Sequence, residues 1–291
     1  MENHVKIGNK KIGPGEQCFI IGEIGINHNS DINIAKKLID VAKEKGFDAV
    51  KFQKRNPDVC VPEDQKSREV ETPWGKMTYI EYKHKMEFGE KEYKEIDDYC
   101  REKDIIWFAS PWDLDSIDFL EKFNVPCHKV PSCMLTDHEF LLKLKNTGKP
   151  IILSTGMSTL EQIDAAMDIF DDHPLVVLHC TSTYPCQKEE LNLSFIPVLR
   201  ERYGKITGYS GHEVGVTPSI LAVAAFDAHV VERHITLNRS LWGTDQAASL
   251  EPRGMELLAR DIRSIPDIKG SGKKVVYDSE VPIMKKLRKK I

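Results

Sequence analysis

Short apolar runs rich in Ile, Val and Phe alternate along this chain with longer segments whose apolar residues recur at helical spacing. That is the pattern of a parallel sheet buried on both faces by helices. Eight runs read as strands: Phe19–Asn27, Ala49–Lys54, Ile105–Pro111, Cys127–Ser132, Pro150–Gly156, Leu175–Ser182, Lys205–His212 and His229–Leu237. Helices are expected near 31–46, 90–103, 114–124, 137–146, 159–171, 192–202, 217–227 and 254–265. Asp137 ahead of Phe140 and Thr159 ahead of Glu161 are plausible caps. Eight strand–helix units with no break in composition predict an α/β fold, a single-domain (β/α)8 TIM barrel over 1–269, with 270–291 a linker or tail. An open doubly wound sheet would read similarly up to about the sixth strand. Arg55 to Gly89, after the second strand, is too long for an ordinary connection and is expected to be a lid or binding segment.

The 291 residues, 41% hydrophobic and 30% charged, suit one large globular core, and the formal charge of −4 gives no reason to expect a nucleic-acid partner. No apolar run is long enough for a bilayer, and Met1 to Lys11 is polar where a signal peptide would be apolar, so a cytoplasmic protein without a membrane partner is expected. Seven cysteines at irregular spacing, with no C-x-x-C pair, read as reduced, mostly buried thiols. The basic stretch Lys285 to Lys290 reads as a solvated helix end or frayed terminus.

A barrel enzyme assembles its site at the C-terminal strand ends. All eight predicted ends carry polar residues: Glu23 to His28, Lys51 and Gln53, Ser110, Lys129 and Ser132, Ser154-Thr155-Gly156, His179 to Tyr184, Tyr209 to His212, and Glu232 to His234 followed by Asp245. Lys51 and Lys129 would carry charge into a partly desolvated mouth, which is costly unless an anion is held there. With the hydroxyls of Ser110, Ser132 and Ser154 they make a cradle for a phosphate and a carboxylate together, the two groups that phosphoenolpyruvate carries. His212 and His234 end adjacent strands and suit a divalent Lewis acid, Mn2+ in first place with Mg2+ or Co2+ as alternatives. His28 and His179 rank lower, as supporting or structural residues.

These motifs together resemble the sialic acid synthase (N-acetylneuraminate synthase) family. The likeness is carried by IGEIGINHN at 21–29, AVKFQK at 49–54, WGKMTYIEYKH at 74–84, LSTGMS at 153–158, HCTSTYP at 179–185, GYSGHE at 208–213, ERHITL at 232–237 and GTDQAASLEP at 243–252. The resemblance implies a TIM-barrel transferase that joins C3 of phosphoenolpyruvate to the aldehyde of an N-acetylmannosamine-type sugar, 6-phosphorylated or not. It would release phosphate and a 2-keto-3-deoxy (nonulosonic) sugar acid.

It further implies that His212 and His234 bind the metal and that Lys51, Ser110, Lys129, Ser132, Ser154, Ser182 and Ser210 line the phosphoenolpyruvate site. Glu23 would sit beside the reacting carbons, and Gln53, Tyr184 and Asp245 would face the sugar. Two departures are visible. Met134 stands where the family usually has an acid that meets sugar hydroxyls, and Gly270 to Ile291 reads as the linker to a C-terminal antifreeze-like domain that does not follow. A homo-oligomer would then use barrel helices, or a separate protein would bring that domain. The competing readings are another phosphoenolpyruvate-dependent synthase, of octulosonate or heptulosonate type, a Schiff-base aldolase using Lys51 or Lys129, and a non-catalytic barrel. A phosphorylated acceptor would need a further cationic pocket, for which Arg55, Lys76, Lys83 and Lys85 are candidates.

Overall fold

The computed structural model describes residues 4–289, so the first residues of the polar N-terminus and the end of the basic tail lie outside the described residues. Eight parallel strands form one sheet: β1 Phe19–Gly25, β2 Ala49–Lys54, β3 Ile106–Pro111, β4 His128–Val130, β5 Ile151–Ser154, β6 Leu175–Cys180, β7 Ile206–Gly211 and β8 Val230–His234. Their order is β3-β2-β1-β8-β7-β6-β5-β4, and the two outer strands β3 and β4 lie against each other, which rolls the sheet into the expected barrel. Every residue of β1, β4, β5, β6, β7 and β8 is buried, as strands covered on both faces must be.

The covering helices follow their strands: α1 Ile32–Glu44, α2 Glu90–Glu102, α3 Leu114–Glu121, α4 His138–Asn146, α5 Leu160–Ile169, α6 Phe195–Tyr203, α7 Thr217–Phe226 and α8 Pro252–Lys269. Asp137 caps α4 by accepting from the Phe140 amide, and Thr159 caps α5 through Gln162, one residue beyond the expected Glu161. The strands stop short of their predicted ends for local reasons. Gly25 turns into the left-handed region at φ +53°, ending β1, and Pro131, which has no amide hydrogen, ends β4 ahead of a 3-10 turn over Ser132–Met134.

Two features were not foreseen. A hairpin pairs Val5–Ile7 with Lys10–Ile12 and sends Val5, Ile7 and Ile12 into the main core, sealing the barrel's N-terminal mouth near Ile106 and Pro126. The 55–89 insertion is ordered: short helices Pro57–Cys60 and Glu63–Lys66, a hairpin Glu69–Thr72/Gly75–Thr78 and a helix Tyr79–Met86. Ile26, Tyr82 and Met86 form a satellite apolar cluster with Val70, Met77, Tyr79 and Trp242, which ties the insertion over the C-terminal mouth. Beyond Gly270 the chain lies on the surface, with a short helix at Val281–Leu287 that buries nothing. No described helix is long and apolar enough to cross a membrane. All seven cysteines are free, five of them buried.

Candidate active site

The C-terminal mouth opens on a pocket lined by residues of all eight strand ends. Its floor is a set of four buried charges. Lys51 Nζ lies 3.0 Å from Glu23 Oε2 and 3.4 Å from Glu232 Oε1, and donates to Ser110 Oγ at 2.9 Å. Lys129 Nζ donates to Ser154 Oγ at 2.7 Å and to the Val130 carbonyl at 3.0 Å. Two ammonium groups facing two carboxylates make the floor neutral overall, the condition under which such charges can stay buried.

The protonation balance within this set is uneven. Burial, reinforced by Glu232, pushes the Glu23 carboxyl up to about 7 against the pull of Lys51. Burial pushes Glu232 the same way, yet Lys129 and Lys51 together hold it below the usual carboxylate range. Burial lowers Lys129, whereas its two carboxylate neighbours outweigh burial at Lys51 and raise it. Gln53 Nε2 donates to Glu23 Oε1 at 2.9 Å, which fixes that carboxyl toward the pocket.

One wall is a ring of hydroxyls. Ser132 Oγ accepts from the Gly156 amide at 3.0 Å, and Ser154, Ser182 and Ser210 line the same space. A Cβ on Gly156 would stand 2.2 Å from Ser182 Oγ and 2.8 Å from Ser132 Oγ, so only glycine lets this backbone approach. Cys180 Sγ sits beside them, 3.8 Å from both Ser182 Oγ and His212 Nδ1.

Opposite stand the two histidines, ring centroids 5.5 Å apart and both buried. His212 Nδ1 donates to the Thr181 carbonyl at 2.8 Å, which leaves the Nε2 lone pair free for a ligand. His234 Nδ1 and Glu232 Oε2 are buried with no hydrogen-bond partner, and Asp245 Oδ2 is 3.7 Å from His234 Nδ1. Unsatisfied buried acceptors beside a fixed tautomer fit a divalent cation held by two imidazoles, with its remaining positions left for other oxygens. Among the described residues no group of three or more His, Cys, Asp and Glu forms a closed cage.

Tyr184 stacks 4.0 Å from the His212 ring, and Asp245, Gln53 and Glu23 converge above Gly25, within 3.6 Å of where its Cβ would lie. The expected site residues are therefore brought together. His28 instead stacks 4.0 Å from Phe88 and accepts from the Ser30 amide, and His179 bonds the Leu191 carbonyl at 2.7 Å, so both support the barrel wall. The 3-10 turn sets Met134, partly buried, against a further apolar cluster that includes Val130, Leu135 and Phe140, while Cys133 lines the pocket. Glu232 and Cys180 were quoted among the strand ends without a role. Spacing could have found them, because Glu232 and His234, like Cys180 and Ser182, lie two apart and so share a face.

Residues 38–274 match the NeuB family. The chain belongs to this family. It is 38% identical over 285 residues to the N-acetylneuraminate-9-phosphate synthase of Mus musculus, covering 96% of this chain and 79% of that protein. It is 34% identical over 283 residues to the N,N'-diacetyllegionaminic acid synthase of Campylobacter jejuni, covering 95% and 84%. The crystal structure of the N-acetylneuraminic acid synthetase of Leptospira borgpetersenii, in complex with citrate, superposes with a TM-score of 0.86 at 32% identity, covering 100% of this chain and 99% of that one. The resemblance read from the motifs and the barrel read from periodicity are thus both shown for this NeuB-family chain.

Proposed function

We propose that this NeuB-family barrel condenses phosphoenolpyruvate with the aldehyde of an N-acetylmannosamine-type sugar, releasing phosphate and a 2-keto-3-deoxy sugar acid. The observation that carries the reading is the paired arrangement itself: two lysines and a ring of serines face two histidines across one pocket. The cationic side suits the phosphate and carboxylate of the enol ester, held by Lys51, Lys129, Ser110, Ser132, Ser154, Ser182 and Ser210. Gln53, Tyr184 and Asp245 face the acceptor sugar and orient its aldehyde toward C3 of the enol, which replaces a chance encounter by a fixed approach.

His212 and His234 would hold a divalent cation, Mn2+ in this reading, whose chemistry is to polarise the aldehyde oxygen as charge develops there. Glu23, with its carboxyl pushed up to about 7, is suited to take a proton near neutrality from the water that adds at C2 of the enol carbon skeleton. The balance is one phosphoenolpyruvate, one aldehyde and one water in, and one keto acid and one phosphate out. A Schiff base at Lys51 would need a depressed pKa, whereas Glu23 and Glu232 raise it despite burial; Lys129, which burial does lower, is the lysine left to that reading.

We place the reaction in the cytoplasm, in keeping with free thiols. Self-association would use the barrel helices, among which α7 leaves Leu221 exposed. The test is phosphate release from phosphoenolpyruvate with Mn2+ across a panel of aldoses: N-acetylmannosamine, mannose, their 6-phosphates, diacetylated amino sugars and arabinose 5-phosphate. Turnover with an amino-hexose is expected. Turnover with arabinose 5-phosphate alone would assign an octulosonate synthase, and no turnover at all would end the reading.

A further inference from the structure

Beside the pocket stand two cations that, among the described residues, no carboxylate pairs with. Of the four cationic candidates in the insertion, Lys76 is paired with Glu69 across the hairpin at 2.5 Å, and Lys85 is exposed, its Nζ 5.1 Å from the Trp74 ring centroid. Arg55 and Lys83 remain, and among the described residues neither forms an ion pair. Glu87, whose field Arg55 feels, is paired with Lys54 at 3.1 Å.

Lys51 and Gln53 lie two apart in β2 and both line the pocket, and Arg55 follows directly on the strand's last residue, Lys54. Arg55 Nη2 donates to Gln53 Oε1 at 2.5 Å, and its guanidinium carbon lies 3.8 Å over the Trp112 ring, itself part of the pocket lining. Its Nε is buried without an acceptor, a donor that has lost its water and gained nothing in return. Lys83 comes from the helix Tyr79–Met86, with its Nζ 5.0 Å from the Tyr79 ring and 5.2 Å from the Tyr82 ring. Burial first, then the charge of Arg55, holds its ammonium below the usual lysine range, while Asp245 pulls the other way. The turn after β4 sends no acid toward them, since Cys133 lines the pocket and Met134 packs inward.

We propose that Arg55 and Lys83 form a subsite for a phosphomonoester at the end of the acceptor sugar remote from its aldehyde. The inference rests on the condensation reading, and it makes a hexosamine 6-phosphate the preferred acceptor. The planar fork of Arg55 matches two phosphate oxygens, Lys83 adds a point charge, and the dianion supplies the acceptor that Arg55 Nε lacks. The relatives differ on this very chemistry, one named for a 9-phosphate and the other for a diacetylated acid without one. Three carbons from phosphoenolpyruvate renumber C6 of the acceptor as C9 of the product.

The test compares kcat/KM for N-acetylmannosamine and its 6-phosphate, with phosphoenolpyruvate and Mn2+, in the wild type, Arg55→Gln, Arg55→Lys, Lys83→Gln and the control Lys76→Gln. The wild type should favour the 6-phosphate. Arg55→Gln and Lys83→Gln should each cut that preference by roughly 10- to 100-fold, mainly through KM. Arg55→Lys should restore part of it, and Lys76→Gln should leave it unchanged. A wild type indifferent to the phosphate, or variants that lose both acceptors in equal proportion, would overturn the subsite. If no sugar is turned over, the condensation reading fails, and calorimetric titration with mannose 6-phosphate against mannose decides the subsite separately. Phosphate-dependent binding that weakens in Arg55→Gln sustains it; equal affinities, or no binding, sink it.

Discussion

The two histidines owe their placement to a buried ion pair directly behind them, and a double-mutant cycle on that pair is the most demanding test of the fold. Arg233 precedes His234 in β8, Glu213 follows His212 at the end of β7, and both are almost fully inaccessible. Arg233 Nη1 donates to Glu213 Oε1 at 2.9 Å, to the Gly215 carbonyl at 2.8 Å and to Ser219 Oγ at 3.0 Å, while Nη2 donates to the Glu213 carbonyl at 2.5 Å. Tyr209 donates to the other carboxylate oxygen at 2.8 Å. Glu213→Gln keeps the shape and removes the one carboxylate that, among the described residues, pairs with a guanidinium that cannot reach water, which should cost about 3–5 kcal/mol. Arg233→Met strands the carboxylate and should cost a similar amount, again roughly 3–5 kcal/mol. The double variant leaves no orphaned charge, so it should lose no more than either single change, giving a coupling energy of several kcal/mol. Urea unfolding followed by circular dichroism and tryptophan fluorescence would measure all four corners. Single losses below about 1 kcal/mol, or a double loss equal to the sum of the singles, would show that the pair does not hold β7 to β8 as argued.

Other outcomes follow from the site. His212→Ala and His234→Ala should each abolish Mn2+ uptake, read by electron paramagnetic resonance, and turnover, with an unchanged circular dichroism spectrum; an active, metal-replete double variant would refute the assignment. Gly156→Ala should raise KM for phosphoenolpyruvate about tenfold or more by driving a methyl into Ser182 Oγ, and adding Ser182→Ala should recover part of it, both read from initial rates. Activity governed by ionised Glu23 should rise through a pH of about 7, and that limb should vanish from the kcat/KM profile of Glu23→Gln. His28, held down to about 3 by burial, refuses a proton that the unfolded chain accepts near 6.5; its contribution is present above 6.5 and is lost as pH falls toward 3. His28→Asn should therefore flatten the acid side of the urea-midpoint profile.

Much of the barrel could be read before any coordinate because its strands are buried on both faces, which writes them as unbroken apolar runs. The ends were harder to place. Asn27 and Ser182 continue polar sequence past β1 and β6, and nothing in residue type marks where ladder bonding stops and loop begins. The N-terminal hairpin escaped because each of its strands has three residues, too few for alternation to register. At the site, Lys51, Lys129, His212 and His234 were legible from position alone. Glu232 was not given a role because the lysines were matched to an absent anion, although two buried ammonium groups also need counter-charges before any substrate arrives. At position 134 the sequence gives the residue that replaces an acid but not the turn that packs it against an apolar cluster.

That last requirement separates the pocket into two electrostatic levels. On the floor, Lys51 and Lys129 face Glu23 and Glu232, so the folded chain tolerates them without a ligand. At the rim, Arg55 and Lys83 are only partly exposed and, among the described residues, have no carboxylate partner. An anionic substrate entering the floor adds negative charge beside Glu23, whose carboxyl already sits at about 7, and so must push it higher. Binding near neutrality is thereby linked to proton uptake at Glu23, and that proton must leave again before Glu23 can take one from the attacking water. Anion binding at the rim adds negative charge beside Lys83, whose ammonium burial and Arg55 hold below the usual lysine range, and so draws it back up.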